Sequence, residues 1–348
     1  MKDISVILFD ASVLGGIQLM TIDTIGLLSK NGYNVTFVTM KVSDRIVNYL
    51  KRYDLKNVKI KLLLKISNIT LQMLYSRLFY SEKDFSINMH GDIQPIASDI
   101  VYFHQFNIDY RIRSPFKEKL ILIPQYLIRK GFMEKIRKEE KLVLVNSRWT
   151  KAEAKYFWNI NAEILYPPVH VEWFRNINNL DRDNTVITIS RFSRDRGLDN
   201  IIKIAKELED YNFIIAGYLQ DQEYFNEIKN KKTKNIQLYP NIDETTKIKL
   251  LSSSKVYFNP TPYIEGFGTS VVEGMSAGLI PVTRNKGGVI DFVPEKYTFN
   301  EFTDAMDKVK RAMEDWNEKE MKEMKNISER FSLENYEKNL LNIINKFF

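Results

Sequence analysis

The chain has 348 residues, of which 44% are hydrophobic and 27% are charged. At about 150 residues per domain, this length predicts two domains, and the ordinary globular composition excludes wholesale disorder. The chain contains no cysteine, which excludes disulfides, thiolate zinc sites, iron–sulfur clusters and cysteine nucleophiles. The three histidines, His90, His104 and His170, argue against a multi-histidine metal site.

The net charge is +7, from 51 Lys and Arg against 44 Asp and Glu. This excess favours anionic partners, namely phosphates, nucleic acid or an anionic membrane surface, without choosing among them. The apolar run at 4–9 is too short for a signal peptide and is interpreted as a buried first strand. We expect a cytoplasmic protein, peripheral to the cytoplasmic face of a membrane at most.

Short apolar runs alternate with amphipathic stretches along the chain, which predicts βα units and an α/β fold with parallel sheets. In the first half, the predicted strands are 5–9, 34–39, 58–63, 100–103 and 142–145, and helix 17–30 follows the first. In the second half, the predicted strands are 186–190, 213–216, 236–239, 256–259 and 280–283, and the predicted helices are 198–208, 245–251 and 269–277.

A domain boundary is predicted at Tyr166-Pro167-Pro168, because two successive prolines favour an extended linker. The predicted domains are therefore 1–165 and 166–330. The closing segment, 331–348, is amphipathic, and we expect it to form a helix that crosses back to the first domain.

Two turns suggest anion binding, and each has a plain structural alternative. Gly15 and Gly16 follow the first strand and open a helix, where backbone N–H groups favour an anion, although a simple βα turn is equally compatible. Arg191, Arg194 and Arg196 follow the first strand of the second domain. Guanidinium groups at that sheet edge suit a diphosphate, whereas a solvated basic turn is the alternative.

The stretch from Pro260 to Gly278 carries the most information. A strand ends, a rigid loop follows, and glycines open a helix whose first amides are free donors. Glu265 lies before that helix and Glu273 lies within it, among small and apolar residues. Two such carboxylates can accept hydrogen bonds from the hydroxyl groups of different parts of one polyol. Two unrelated surface acids are the alternative, but the apolar neighbours of Glu273 disfavour it.

The pattern Glu-Gly-Phe-Gly-x4-Glu at 265–273, with the Gly-Gly at 287–288, resembles glycosyltransferase family 4. The resemblance implies the retaining GT-B fold. In that fold two Rossmann-like domains face each other across a cleft, the first binding acceptor and the second binding sugar nucleotide. The runs at 101–104, 146–150 and 166–169 are most similar to lipid-linked oligosaccharide mannosyltransferases within that family.

The resemblance also implies roles for individual residues. Arg191 and Arg196 grip the donor diphosphate, Glu265 faces the sugar hydroxyls, Glu273 holds the ribose, and His104 faces the transferred sugar from the first domain. Two backbone segments are also implied to bind the donor. The second domain contributes Gly266, Phe267, Gly268 and Thr269, and the glycine loop of the first domain contributes Gly15 and Gly16. The chain departs from the family at Ser190, Arg196, His170 and Gly274, which stand in place of the usual glycine, lysine, aspartate and alanine.

The resemblance implies transfer of a hexose from a sugar nucleotide to a glycan or polyprenyl-phosphate-linked acceptor. Mannose from GDP-mannose is the preferred prediction. We expect no cofactor and no metal, with the sugar nucleotide as co-substrate. A UDP-sugar donor with another acceptor and a non-catalytic nucleotide-sugar scaffold stay open. No nucleic-acid motif is recognised, which disfavours a nucleic-acid acceptor.

Residues 111–141 carry ten Lys and Arg and four Asp and Glu, interleaved with apolar clusters. Such a stretch suits an anionic membrane surface or a polyprenyl phosphate. An ordinary amphipathic helix with a solvated basic face is the alternative.

Overall fold

The computed structural model of the protein describes residues 2–13, 15–53, 55–78, 84–106 and 116–348, without the side chains of residues 78 and 116–122. The chain forms two compact units. Unit 1 comprises Met1–Pro167 and Glu337–Phe348, and unit 2 comprises Pro168–Tyr336.

Unit 1 is built on a seven-stranded parallel sheet in the order β5-β3-β1-β6-β7-β8-β9. Its strands are β1 (Asp3–Ile7), β3 (Asn34–Thr39), β5 (Val58–Leu62), β6 (Phe85–Asn88), β7 (Ile100–Phe103), β8 (Leu142–Val145) and β9 (Glu163–Ile164). Two further short strands, β2 (Asp10–Ala11) and β4 (Lys41–Val42), pair with each other. The helices are α1 (Gly16–Lys30), α2 (Asp44–Leu50), α3 (Ile69–Leu78), α4 (Phe116–Lys138) and α5 (Arg148–Trp158).

Strand β6 lies in the middle of this sheet, and the sequence pattern did not predict it. Its polar residues, Ser86 and Asn88, are both buried. Ser86 donates its backbone N–H to the Asp99 carboxylate at 2.9 Å. The Asn88 amide donates to the carbonyls of Gln94 and Ile96 at 2.7 and 3.1 Å. Because these polar groups are satisfied locally, they occupy a buried strand at little cost.

The terminal segment Glu337–Phe348 belongs to unit 1 and includes most of helix α12 (Leu333–Ile344). The Glu337 carboxylate accepts from the Asn31 amide at 2.7 Å and pairs with Lys30 at 3.3 Å. The rings of Phe347 and Phe348 lie 5.0 and 4.9 Å from that of Phe85, between ring centroids. The segment is thereby packed at the start of β6.

Unit 2 contains a six-stranded parallel sheet in the order β12-β11-β10-β13-β14-β15. Its strands are β10 (Thr185–Ile189), β11 (Asn212–Gly217), β12 (Ile236–Pro240), β13 (Val256–Phe258), β14 (Ile280–Arg284) and β15 (Thr298–Phe299). Its helices are α6 (Asp199–Glu207), α7 (Gln222–Lys231), α8 (Glu244–Ser252), α9 (Thr269–Ser276), α10 (Ala305–Asp315) and α11 (Glu318–Glu329). The predicted α/β class with parallel sheets is confirmed.

A buried arginine, Arg182, joins the carboxyl ends of α8 and α9. Its guanidinium donates to the carbonyls of Ser254 and Ala277, both at 2.8 Å, and its side chain is only 5% exposed. A cation at this place complements the negative ends of both helix dipoles. Burial lowers the pKa of Arg182 to about 10, so the group remains a cation at neutral pH.

Within the part of the chain that the structure describes, no helix combines the length and the apolar character needed to span a bilayer.

Replacing Arg182 with methionine should lower the free energy of unfolding by about 3 kcal/mol, because two buried carbonyls lose their donor. Chemical denaturation measures the loss. Arg175→Met is the matched control, since Arg175 pairs with Glu329 on the surface and its removal should cost much less. Equal losses in the two variants would contradict the role given to Arg182.

Candidate functional site in unit 2 and a polar cluster in unit 1

The predicted donor-site residues of unit 2 follow neighbouring strands of one parallel sheet. Strand β10 pairs with β13, and β13 pairs with β14. Because parallel strands end at the same edge, the loops after them lie side by side. Arg191 and Arg196 come from the loop after β10, Glu265 from the loop after β13, and Gly287 from the loop after β14.

Arg196 and Glu265 form an ion pair with each other. Nη1 of Arg196 donates to Oε1 of Glu265 at 2.8 Å, and the two side chains are 19% and 20% exposed. The guanidinium also lies 5.1 Å from the ring centroid of Tyr263. The groups that the resemblance assigns to the diphosphate and to the sugar are thus in direct contact.

Asn259, which sequence reasoning missed, binds the other oxygen of Glu265. Its Nδ2 donates to Oε2 of Glu265 at 2.7 Å, and its Oδ1 accepts the backbone N–H of Thr261 at 3.1 Å. The available signal was an Asn directly after a buried strand and before Pro-Thr-Pro. That position is typical of a turn former, so the sequence indicated a turn rather than a partner for a carboxylate.

The backbone of Glu265 is fixed by the glycine pair Gly287-Gly288. A Cβ at Gly287 would lie 2.3 Å from the carbonyl oxygen of Glu265, and one at Gly288 would lie 2.0 Å from that of Gly266. The Gly288 N–H donates to the Glu265 carbonyl at 2.9 Å. Only glycines allow this approach, which gives a physical reason for the Gly-Gly of the motif.

Gly268 turns the chain into helix α9 with a left-handed φ of 99°, and no side chain caps the helix start. The first N–H groups of the helix, beginning at Thr269, therefore have no partner within it. The Phe267 ring is buried, 5.3 Å from the ring of Phe292 and 5.1 Å from that of Phe331. Only the backbone of Phe267 is therefore placed to approach a ligand.

Glu273 is paired with Lys247 of α8, a second residue that the sequence analysis missed. Nζ of Lys247 donates to Oε1 of Glu273 at 2.8 Å and lies 2.9 Å from Oε2 of Glu244. The side chains of Lys247 and Glu273 are 12% and 15% exposed. Burial lowers the pKa of Lys247, but the two carboxylates raise it more, so it is held above its ordinary value.

The three arginines of the turn differ in their partners. Arg194 binds the Glu227 carboxylate through both terminal nitrogens and lies 5.2 Å from the Tyr224 ring. Arg191 donates to the Gln220 side chain at 2.7 Å and pairs with Asp195 at 3.3 Å at the protein surface. Arg194 is thus committed to helix α7, whereas the roles of Arg191 and Arg196 toward a diphosphate stay predictions.

In unit 1, His104 lies directly after β7 and is partly buried. Its Nε2 donates to the carbonyl of Met89 at 2.9 Å. A carbonyl can only accept, so this bond places the ring proton on Nε2 and leaves the lone pair on Nδ1. Burial lowers the pKa of His104 to about 4, so the ring is neutral at neutral pH.

Two further groups lie close to His104, and the sequence analysis missed both. The Asp92 carboxylate accepts the backbone N–H groups of His104 and Gln105 at 2.9 and 3.2 Å. Burial raises the pKa of Asp92 to about 7. The His90 ring lies 5.8 Å from that of His104, and burial lowers its pKa to about 3.

The glycine loop opens helix α1, with Gly15 as the residue before it and no side-chain cap. Helices α5, α7 and α8, in contrast, begin with a side-chain oxygen of Ser147, Asp221 and Asp243 bound to a backbone N–H. The open amide groups are compatible with an anion, and the role of Gly15 and Gly16 stays a prediction.

A family model described as "Glycosyl transferases group 1" matches residues 171–331. A GDP-Man:Man(3)GlcNAc(2)-PP-Dol alpha-1,2-mannosyltransferase of Dictyostelium discoideum is 26% identical over 214 residues, 53% of this chain and 42% of that protein. A glycogen synthase of Aquifex aeolicus is 29% identical over 109 residues, 31% of this chain and 23% of that protein. The matched stretches thus span less than half the length of these two relatives.

The fold is shared with a solved structure, the sucrose-phosphate synthase of Thermosynechococcus elongatus. The TM-score is 0.76 at 14% identity, and the match covers 100% of this chain and 99% of that one. At this identity the likeness concerns the fold alone.

Helix α9 leads to a prediction at Gly274, where the family usually has alanine. Helix propensity alone predicts that Gly274→Ala stabilises the helix by about 1 kcal/mol. A Cβ at this position would, however, lie 2.6 Å from Cδ2 of the buried Tyr257 ring. We therefore expect Gly274→Ala to lower the free energy of unfolding, measured by chemical denaturation. In the Tyr257→Val background, the same change should lower the free energy of unfolding much less. If the Gly274→Ala single variant is more stable than the parent protein, the predicted clash with Tyr257 is wrong.

Proposed function

Residues 171–331 belong to the group 1 glycosyltransferases, and from that premise we propose that the chain transfers a hexose from a nucleoside diphosphate sugar to a glycan acceptor with retention of configuration. The resemblance to glycosyltransferase family 4 and the GT-B fold predicted from the sequence are confirmed. The observation that carries the proposal is the arrangement of Arg196, Glu265 and Glu273 in the group 1 domain, each buried enough to keep a fixed partner.

In the proposed reaction, the bond between the anomeric carbon and the diphosphate breaks, and the acceptor oxygen takes its place on the same face of the sugar. The departing phosphate oxygen receives the acceptor proton, so no enzymatic nucleophile is assigned. Arg191, Arg196 and the first amides of α9 stabilise the charge that develops on the diphosphate. His104, neutral and with its lone pair on Nδ1, can accept a hydrogen bond from a hydroxyl group, and its role toward the transferred sugar stays a prediction.

We propose GDP-mannose as the donor. The support is the relative that carries GDP-Man in its name and the similarity of the runs at 101–104 and 146–150 to lipid-linked oligosaccharide mannosyltransferases. The glycogen synthase match supports the group and not this sugar. A UDP-linked sugar is the alternative, and a panel of nucleotides distinguishes the two.

Nucleotide binding is tested by thermal stabilisation with GDP, UDP, ADP and their sugar conjugates. A nucleotide at 100 times its dissociation constant should stabilise the protein by about 2.7 kcal/mol. We expect the shift with GDP and GDP-mannose and expect Glu273→Gln to abolish most of it, because the amide accepts ribose hydroxyls less well than a carboxylate. Glu223→Gln, an exposed glutamate of α7, is the control and should keep the shift. A panel without any shift would contradict the proposed function.

We propose that the surface of helix α4 binds an anionic membrane that carries the acceptor. Residues 111–115 of the basic stretch lie outside the described residues. Within the described part, Ile123 and Leu127 are 49% and 59% exposed, and Tyr126 is also exposed. Lys130 and Lys135 follow along the same helix and are exposed as well. Exposed apolar side chains beside lysines are typical of a helix lying at an anionic lipid interface.

Co-flotation with vesicles of phosphatidylglycerol and phosphatidylcholine tests this surface. The protein should float with anionic vesicles at low salt and stay behind with pure phosphatidylcholine, because lysines are attracted to anionic headgroups and salt screens them. The double change Ile123→Ser and Leu127→Ser should abolish flotation. Tyr218→Ser, which alters an exposed aromatic residue in unit 2, should leave it unchanged. Failure of the parent protein to float would remove the membrane proposal.

A further inference from the structure

The position of the Glu265 carboxylate depends on its side-chain partners, because its backbone is already fixed. The carbonyl of Glu265 accepts from Gly288, and the glycine pair lies against the peptide of Glu265 and Gly266. The freedom that remains is rotation of the side chain. Arg196 and Asn259 bind one carboxylate oxygen each and so restrict that rotation.

These two partners differ in what else they can bind. A guanidinium binds phosphate oxygens at least as well as carboxylate oxygens, so a diphosphate competes with Glu265 for Arg196. The Nε of Arg196 is buried without a hydrogen bond and lies 3.7 Å from the Asp195 carboxylate, so its N–H has only a weak ionic partner to give up for a phosphate oxygen. Asn259, in contrast, is anchored: its backbone N–H donates to the Val282 carbonyl at 2.9 Å, and its Oδ1 accepts from Thr261.

We propose that Asn259 is a positioning residue, which holds Oε2 of Glu265 while the donor diphosphate takes Arg196 away from Oε1. The freed Oε1 then accepts a hydroxyl of the transferred sugar. In this arrangement, binding of the diphosphate by Arg196 is coupled to recognition of the sugar by Glu265. The coupling arises because Arg196 gives up its hydrogen bond to Oε1 when it binds the diphosphate. The inference rests on the proposed function, because it needs a nucleoside diphosphate sugar in the site.

Two tasks of Asn259 can be separated by substitution. Asn259→Ser keeps an oxygen that can accept the Thr261 N–H and therefore keeps the turn, but it removes the Nδ2 donor to Glu265 without adding a charge. The melting temperature should remain within a few degrees of the parent value. Asn259→Ala removes both contacts and reports how much the turn itself contributes to stability.

Calorimetric titration with GDP and with GDP-mannose gives the decisive readout. We expect the parent protein to bind GDP-mannose about tenfold more tightly than GDP, the value of one good hydrogen bond to a charged group. In Asn259→Ser this difference should fall to about twofold, while GDP affinity changes by less than about threefold. The rate at which GDP-mannose is hydrolysed in the absence of acceptor should fall at least tenfold. Asn230→Ala, an exposed residue of α7, should change neither.

Glu265→Gln supplies a second readout with the opposite sign. The amide pairs less strongly with Arg196, so GDP should bind several-fold more tightly while hydrolysis of GDP-mannose is lost. If Glu265→Gln weakens GDP binding, or if Asn259→Ser keeps the preference for GDP-mannose, the inference is wrong although the protein binds nucleotide. If the parent protein binds neither ligand, the proposed function fails, and the inference fails with it.

Discussion

Parallel pairing of β10 with β13 is the constraint on which the candidate site depends. Val186 is aligned with Val256 and Ile187 with Tyr257, and the buried hydroxyl of Thr188 donates to the Phe258 carbonyl at 2.6 Å. This register makes both strands end at one edge, so the arginine turn and the glutamate loop begin side by side. A slip of one residue would turn the buried side chains of either strand to the wrong face and would separate Arg196 from Glu265.

Much of this arrangement could be predicted from the sequence, because its signals are local. The apolar runs predicted most strands, and the glycines with Glu265 and Glu273 indicated the donor loop. Asn259 and Lys247 could not be assigned, since their partners are defined by contacts across the fold rather than by spacing. Strand β6 was missed for a related reason: the polar side chain of Asn88 is satisfied by carbonyls of a loop that the pattern does not place.

The two units differ in what surrounds their partly buried titratable side chains. In unit 2, partly buried carboxylates form ion pairs with Arg196 and Lys247. In unit 1, burial lowers the pKa of His104 to about 4 and raises that of Asp92 to about 7, so burial disfavours the charged form of each. Unit 2 is therefore suited to hold a charged diphosphate by fixed ionic contacts. The polar cluster of unit 1 is suited to neutral hydrogen bonds, such as those that sugar hydroxyls make.

The membership of Glu337–Phe348 in unit 1 has a consequence for biosynthesis. A ribosome releases Met1–Pro167 first, then the whole of Pro168–Tyr336, and only afterwards the segment that covers Phe85 and pairs with Lys30. Unit 2 can therefore complete its core while the emerging chain still lacks the last part of unit 1. During that interval the sheet of unit 1 leaves the Phe85 ring uncovered, which makes it a natural target for a nascent-chain chaperone.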